Sequence, residues 1–179
     1  MTAARWLVVA ACAAPVAAAC DRPADPPAAA APRPLAQDPD MLHAIDDAAA
    51  RLLTAPTAAA AAAQLGAAVP TPDGSAALFV RPSDKRLTAA RIAALPDGAV
   101  HTVALTLATP VTVAELRDRF GDYKVSSRSD PDQPWHLIFR AAIRGVTTDL
   151  SILVEASGPL DQLPAQPIAT VTLRADARD

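Results

Sequence analysis

The side chains best suited to chemistry in this sequence are three histidines, His43, His101 and His136, the pair Asp130 and Asp132 beside Arg128, and two cysteines, Cys12 and Cys20. A histidine metal centre needs HxH, HExxH or a carboxylate at ligand spacing, and none of these surrounds the three histidines. No metal site is expected. His136 follows Trp135 in an alternating stretch and reads as a solvent-facing strand residue. The segment SSRSDPDQP is too short for a calcium loop, which takes oxygens at alternate positions over about twelve residues and a glycine at its turn. Pro131 and Pro134 make it a hairpin connection instead. With no GxSxG, no cysteine nucleophile in the mature chain and no glycine-rich phosphate loop, the standard nucleophilic and nucleotide sites are missing. The expectation is a protein that is not an enzyme and holds no cofactor.

The two cysteines belong to a different chemistry. Met1 to Cys20 carries one cation, Arg5, then an apolar run from Trp6 to Val16, then Ala17, Ala18 and Ala19. That order is the anatomy of a secretory signal peptide, residues 1–19. The run is shorter than the about 20 apolar residues of a membrane span and is broken by Pro15. Cleavage after Ala19 discards Cys12 and leaves Cys20 as the one thiol of the mature chain, without a disulfide partner. A lone thiol is a liability in an oxidising compartment, whereas a thiol consumed by lipid is not. The segment Val16-Ala17-Ala18-Ala19-Cys20 resembles a bacterial lipobox, in which the cysteine carries a diacylglyceryl thioether. Ala17 departs from the usual Leu, Ile or Val of that motif. The resemblance implies lipidation at Cys20 and a lipoprotein anchored to the cell membrane, facing the periplasm.

Loss of Arg5 with the leader leaves fifteen Lys+Arg against nineteen Asp+Glu. A mildly acidic chain without a basic cluster in its sequence lacks the electrostatic footprint of nucleic-acid binding, so nucleic acid is not an expected partner. The stretch Asp21 to Asp40, DRPADPPAAAAPRPLAQDPD, has six prolines in twenty residues and almost nothing to bury. It reads as a tether, residues 20–39, able to hold a domain up to about 60 Å from the lipid at about 3.1 Å per residue.

The folded domain is expected over residues 40–176. Met41, Leu42, Ile45, Ala49, Leu52 and Leu53 fall on one face of a helix that Asp40 can cap, with Asp46, Asp47 and Arg51 outside. Thr57 to Leu65 predicts a second helix, bounded by Pro56 and Gly66. Ala77 to Arg81 reads as a strand and residues 82–86 as a turn. Residues 87–95 have the spacing of a short helix, although Pro96-Asp97-Gly98 would also suit a hairpin; the helix is the expectation. Val103, Leu105 and Leu107 alternate with Thr102, Ala104 and Thr106, which predicts a strand over 99–107. Thr112-Val113-Ala114-Glu115 fits a capping box, with Val111 able to staple onto Leu116 and Gly121 supplying the stop. Strands follow at 122–126, 135–141, 150–156 and 168–174.

Together these predict an α+β domain of two layers, with N-terminal helices and the capped helix packed on an antiparallel sheet of about five strands. The order VTVAELRDRFG and then strands is similar to small outer-membrane lipoproteins of the SmpA/BamE type and to beta-lactamase-inhibitor-like modules. That resemblance covers about a third of the chain and implies a module that binds proteins. The candidate contacts for an envelope partner are Tyr123, Arg128 and Trp135, since an aromatic beside a loop can anchor an interface, with core packing the preferred reading of Trp135 itself. The alternative is a small periplasmic ligand-binding module or enzyme with a cleft between helices and sheet.

The anchor has a direct test. Cys20→Ser is expected to abolish lipid attachment, because the thioether requires sulfur, and to release the protein from membranes or leave it misprocessed. Mass spectrometry of the N-terminal peptide and membrane fractionation read the outcome; an unmodified Cys20, or a mutant as membrane-bound as its parent, contradicts the assignment.

Overall fold

The computed structural model describes residues 39–71, 76–126, 130, 132–142 and 150–175. All lie within the unit Leu35–Asp179. The leader, Cys20 and the tether up to Asp38 fall outside the described residues.

The first helix, α1, spans Pro39–Leu52 and buries Met41, Ala44, Ile45, Ala48, Ala49 and Leu52, a stripe of helical period. It begins one residue before the expected cap: Pro39 loses nothing in the first turn for lack of an N–H, and Asp40 sits inside that turn. The second helix, α2, spans Ala58–Leu65, with the Thr57 hydroxyl accepting from the N–H of Ala60 at 3.1 Å. Its small residues Ala58, Ala61 and Ala62 are buried with Leu65, so the alanine face lets backbone come close.

Gly66 ends α2 for a reason the sequence does not show. Its φ of 164° is extended, and a Cβ there would lie 2.1 Å from the carbonyl oxygen of Arg81. Glycine is required because a neighbouring strand passes against it, not because the chain turns left-handed. The chain runs from α2 straight into β1, Gly66–Val69, which pairs antiparallel with β2, Leu78–Pro82. Then come β3 (Leu87–Ala94), β4 (Val100–Thr112), α3 (Val113–Phe120), β5 (Tyr123–Val125), β6 (Trp135–Ala141), β7 (Leu150–Ala156), a 3-10 turn (Leu160–Ala165) and β8 (Pro167–Ala175).

These strands form one antiparallel sheet in the order β1-β2-β3-β4-β8-β7-β6-β5. The expected architecture is therefore corrected: the domain is an eight-stranded sheet with a few short helices, not helices on a sheet of about five strands. Two four-strand meanders, β1 to β4 and β5 to β8, meet through their last strands.

Much of the error traces to residues 87–95, of which Leu87–Ala94 form β3 and not a helix. Leu87 pairs with Leu107, Ala89 with Thr106 and Ala90 with Leu105, so one extra residue is inserted at Thr88. That bulge spaces the buried Leu87 and Ala90 three apart, which imitates helical period in the sequence. The short β1 carries no buried side chain and left no periodic signal.

One face of the sheet holds the core. Val80, Ile92, Val103, Leu105, Val171, Leu173, Ile152, Leu137 and Phe139 are all at most 2% exposed and pack with the buried stripes of the helices. Two polar links seat α1 on its neighbours. Arg86, in the β2–β3 turn, donates to the Asp84 carboxylate at 2.7 Å, to Asp47 at 3.2 Å and to the Asp40 carbonyl at 3.0 Å. Its hydrogen bonds hold the Asp84 carboxyl below the usual carboxylate range, and Asp84 raises the guanidinium in turn. Arg119 of α3 donates from Nε to Asp46 of α1 at 3.0 Å. Asp46, expected on the outside, is thus covered by α3.

The capping box is formed. The Thr112 hydroxyl accepts from the N–H of Glu115 at 3.2 Å, and Glu115 Oε2 accepts from the N–H of Thr112 at 2.6 Å. Val113, Leu116 and Phe120 are buried, and Gly121, at φ 87°, stops the helix. Thr112→Ala is expected to lower domain stability by about 1 kcal/mol, the usual cost of a lost cap, in urea unfolding. An unchanged midpoint contradicts the role given to Thr112.

Candidate binding face

The helix-covered face takes one set of alternating strand residues, and the other set lies on the opposite face. Pairing of Cα positions aligns one residue from every strand into a row: Val69, Phe79, Arg91, Ala104, Thr172, Leu153, Ile138 and Lys124. A second row on the same face runs Ala93, Thr102, Arg174, Ser151 and Arg140. None of these row residues belongs to the core cluster, although Ser151 is buried at 1% exposure.

The middle of this face is half-buried and built from Ala104, Thr102, Thr106, Thr172, Leu153 and Ile138. Around it stand exposed cations: Arg81, Arg91, Arg140 and Lys124, with the half-buried Arg174 between. Among the described residues, the strand positions of the face hold one acid, Glu155, which faces His136 across the β6–β7 pair at 3.7 Å. The Arg91 guanidinium lies over the Phe79 ring, 5.8 Å from its centre. Beside Glu155, a depression of about 500 Å³ is lined by His136, Leu153, Thr170 and Thr172. A second, of about 440 Å³, lies by Arg91, Ala93 and Leu95.

Two of the residues singled out from sequence stand on the other side of the sheet. Tyr123 and Trp135 lie on the helix side, half-buried at the margin of the core. The Tyr123 ring packs 5.3 Å from that of Phe139, and the Trp135 indole N–H donates to the carbonyl of Gly158 at 3.0 Å. Arg128 falls outside the described residues. Of the three candidates, Tyr123 and Trp135 alone are among the described residues. His43, His101 and His136 are exposed on three separate elements, and among the described residues no group of three His, Cys, Asp or Glu is placed to hold a metal. No helix among them is long and apolar enough to cross a membrane.

No family model and no curated protein sequence matches the chain. Among solved structures, the chain is similar to a DUF4309 family protein (YjgB) from Bacillus subtilis, at 12% identity and a TM-score of 0.49, over 76% of this chain and 97% of that one. Likeness at that level carries no argument about what either chain does.

One sequence signal for the open face exists in retrospect. In β6 the run Leu137-Ile138-Phe139, and in β7 the run Ile152-Leu153-Val154, break the polar–apolar alternation. Apolar residues at successive positions mark a sheet with some apolar surface on both sides. The basic rim was scattered over five strands and invisible as a cluster.

Trp135 can be tested as a structural residue. Trp135→Phe keeps most of the ring and removes the bond to Gly158, so stability is expected to fall by about 0.5–1.5 kcal/mol in thermal unfolding. A variant as stable as the parent contradicts the anchoring role of that bond.

Proposed function

We propose that this chain is a membrane-anchored envelope lipoprotein, not an enzyme, whose domain binds a partner protein through the open face of its sheet. The observation that carries the reading is the centre of that face, where Leu153, Ile138, Ala104 and Thr172 align across four strands, are half-buried and stand outside the core cluster. A contiguous patch with an apolar middle and a polar margin is the anatomy of a protein interface. Lipid on Cys20 supplies the anchor, and the proline-rich stretch supplies reach.

The alternative cleft between helices and sheet finds less support. Where α1 and α2 meet the β2–β3 turn there is a cavity of about 70 Å³, lined by Ala44, Asp47, Ala48, Leu65 and Leu87. Sites for small organic ligands run to about 300–1,000 Å³.

Photo-cross-linking in intact cells tests the face. A photoreactive residue at Ala104 or Leu153 is expected to give discrete protein adducts, several-fold above those from Ala63, which is exposed on α2. Adducts concentrated at Ala63 would place the interface on the helix layer and end this reading.

A further inference from the structure

We infer that the partner this face accepts is an acidic polypeptide surface, with carboxylates on both sides of a small apolar patch. The inference rests on the open face being a protein-binding surface, and it adds the chemistry of what binds there.

The charge distribution carries the argument. The chain is acidic as a whole, with a net charge of −3, yet the strand positions of the open face present Arg81, Arg91, Lys124 and Arg140 against Glu155. The other described acids are not on its strand positions. Asp40, Asp46, Asp47, Asp84, Glu115 and Asp118 belong to α1, α3 and the β2–β3 turn, while Asp97, Asp122, Asp130, Asp132 and Asp161 stand in the connections at the strand ends. Two of these, Asp47 and Asp84, share Arg86 as an ion-pair partner, and Asp46 pairs with Arg119, so the helix side meets part of its own charge. On the open face a compensating carboxylate is supplied by Glu155, which is itself opposite His136.

Position then defines the partner. Strands in a sheet lie about 4.8 Å apart, so Arg91 on β3 and Lys124 on β5, five strand intervals away, are about 24 Å from each other along the row. Between them the row is Ala104, Thr172, Leu153 and Ile138, without charge. At about 3.3 Å per residue an extended segment of about seven residues covers that span. Its ends meet cations, its middle meets aliphatic and threonine side chains, and the depression beside Leu153 receives a side chain. Guanidinium groups pair with carboxylates through two parallel hydrogen bonds, which makes arginine the fitting cation for such a contact. Arg91, laid over Phe79, is already held near the plane of the sheet.

The same face suits other polyanions less well. Single-stranded nucleic acid binds on exposed aromatic platforms, and the one Phe, Tyr or Trp ring among the described strand positions of this face, Phe79, lies under Arg91. A bilayer is entered by apolar side chains that project beyond the cations. Here Leu153 and Ile138 are half-buried while Arg91 and Arg140 are exposed, so the cations stand outermost.

Titration of the full-length chain with a fluorescent short poly-L-glutamate peptide tests the inference by anisotropy. Binding is expected at low ionic strength and weakens as salt shortens the screening length. The double variant Arg91→Gln, Arg140→Gln should bind roughly tenfold more weakly, since contacts between charges set both encounter and hold. Arg117→Gln, exposed on α3, should match the wild type. In the wild-type chain the peptide should also protect Lys124 from acetylation while Lys85, in the β2–β3 turn, reacts freely. This second readout holds even if the double variant misfolds. Absence of binding, equal loss in Arg117→Gln, equal labelling of both lysines, or tighter binding of duplex DNA or phosphatidylglycerol vesicles than of the peptide overturns the inference. Failure here with cross-links still concentrated at Leu153 refutes the acidic partner and leaves the binding face standing; cross-links confined to the helix layer refute both.

Discussion

The pairing of β4 with β8 is the contact on which the rest of the domain depends. Each is the last strand of its own meander, and about sixty residues of chain separate Thr102–Thr106 from the partners Thr170–Arg174. Without that pairing, each half would expose an unpaired edge whose inner residues, Val103, Leu105, Val171 and Leu173, are among the least exposed in the molecule. An edge of that kind invites pairing with other chains. Joining the two edges removes it and merges two small apolar faces into one core. The free edges move outward to β1 and β5, which are four and three residues long, and short edge strands are a common protection against aggregation.

With the core on one face, the helices have a single place to go. Each helix has one apolar stripe, and that stripe finds its burial over the merged meanders: α1 against β4, α2 against β2 and β3, α3 against β6 and β4. Arg86 and Arg119 fix α1 between the β2–β3 turn and α3. These pairs are partly exposed and contribute modestly to stability, but they settle orientation. No described helix is left to cover the second face, and that face became the best candidate for contact with another protein.

Charge follows the same division. Carboxylates near the helix N-termini and in the turns are favourable there, where they meet backbone N–H groups and local arginines, as Glu115 and Asp84 show. Among the described residues, Arg81, Arg91 and Arg140 on the second face meet no carboxylate of that kind. The same fold therefore separates charge between its two sides while the chain as a whole remains only mildly acidic.

The local elements were largely legible in the sequence, because their causes are local. The stripe of α1, the capping box of Thr112 and Glu115, the stop at Gly121 and the alternation of β4, β6, β7 and β8 each depend on neighbours within a few residues. Three features were not legible. The bulge at Thr88 disguised β3 as a helix, because an extra residue changes the spacing that periodicity reads. β1 had no buried side chain and exists through its pairing with β2. Gly66 looked like a helix stop, but its reason is the Arg81 carbonyl, fifteen residues away in the chain. The binding face is the extreme case: Tyr123 and Trp135 stood out as aromatics and lie at the margin of the core, while Arg91, Ala104, Leu153 and Lys124 were unremarkable in sequence. Those four share a row because long-range strand pairing sets their register, and register is a property of the sheet that no window of sequence contains.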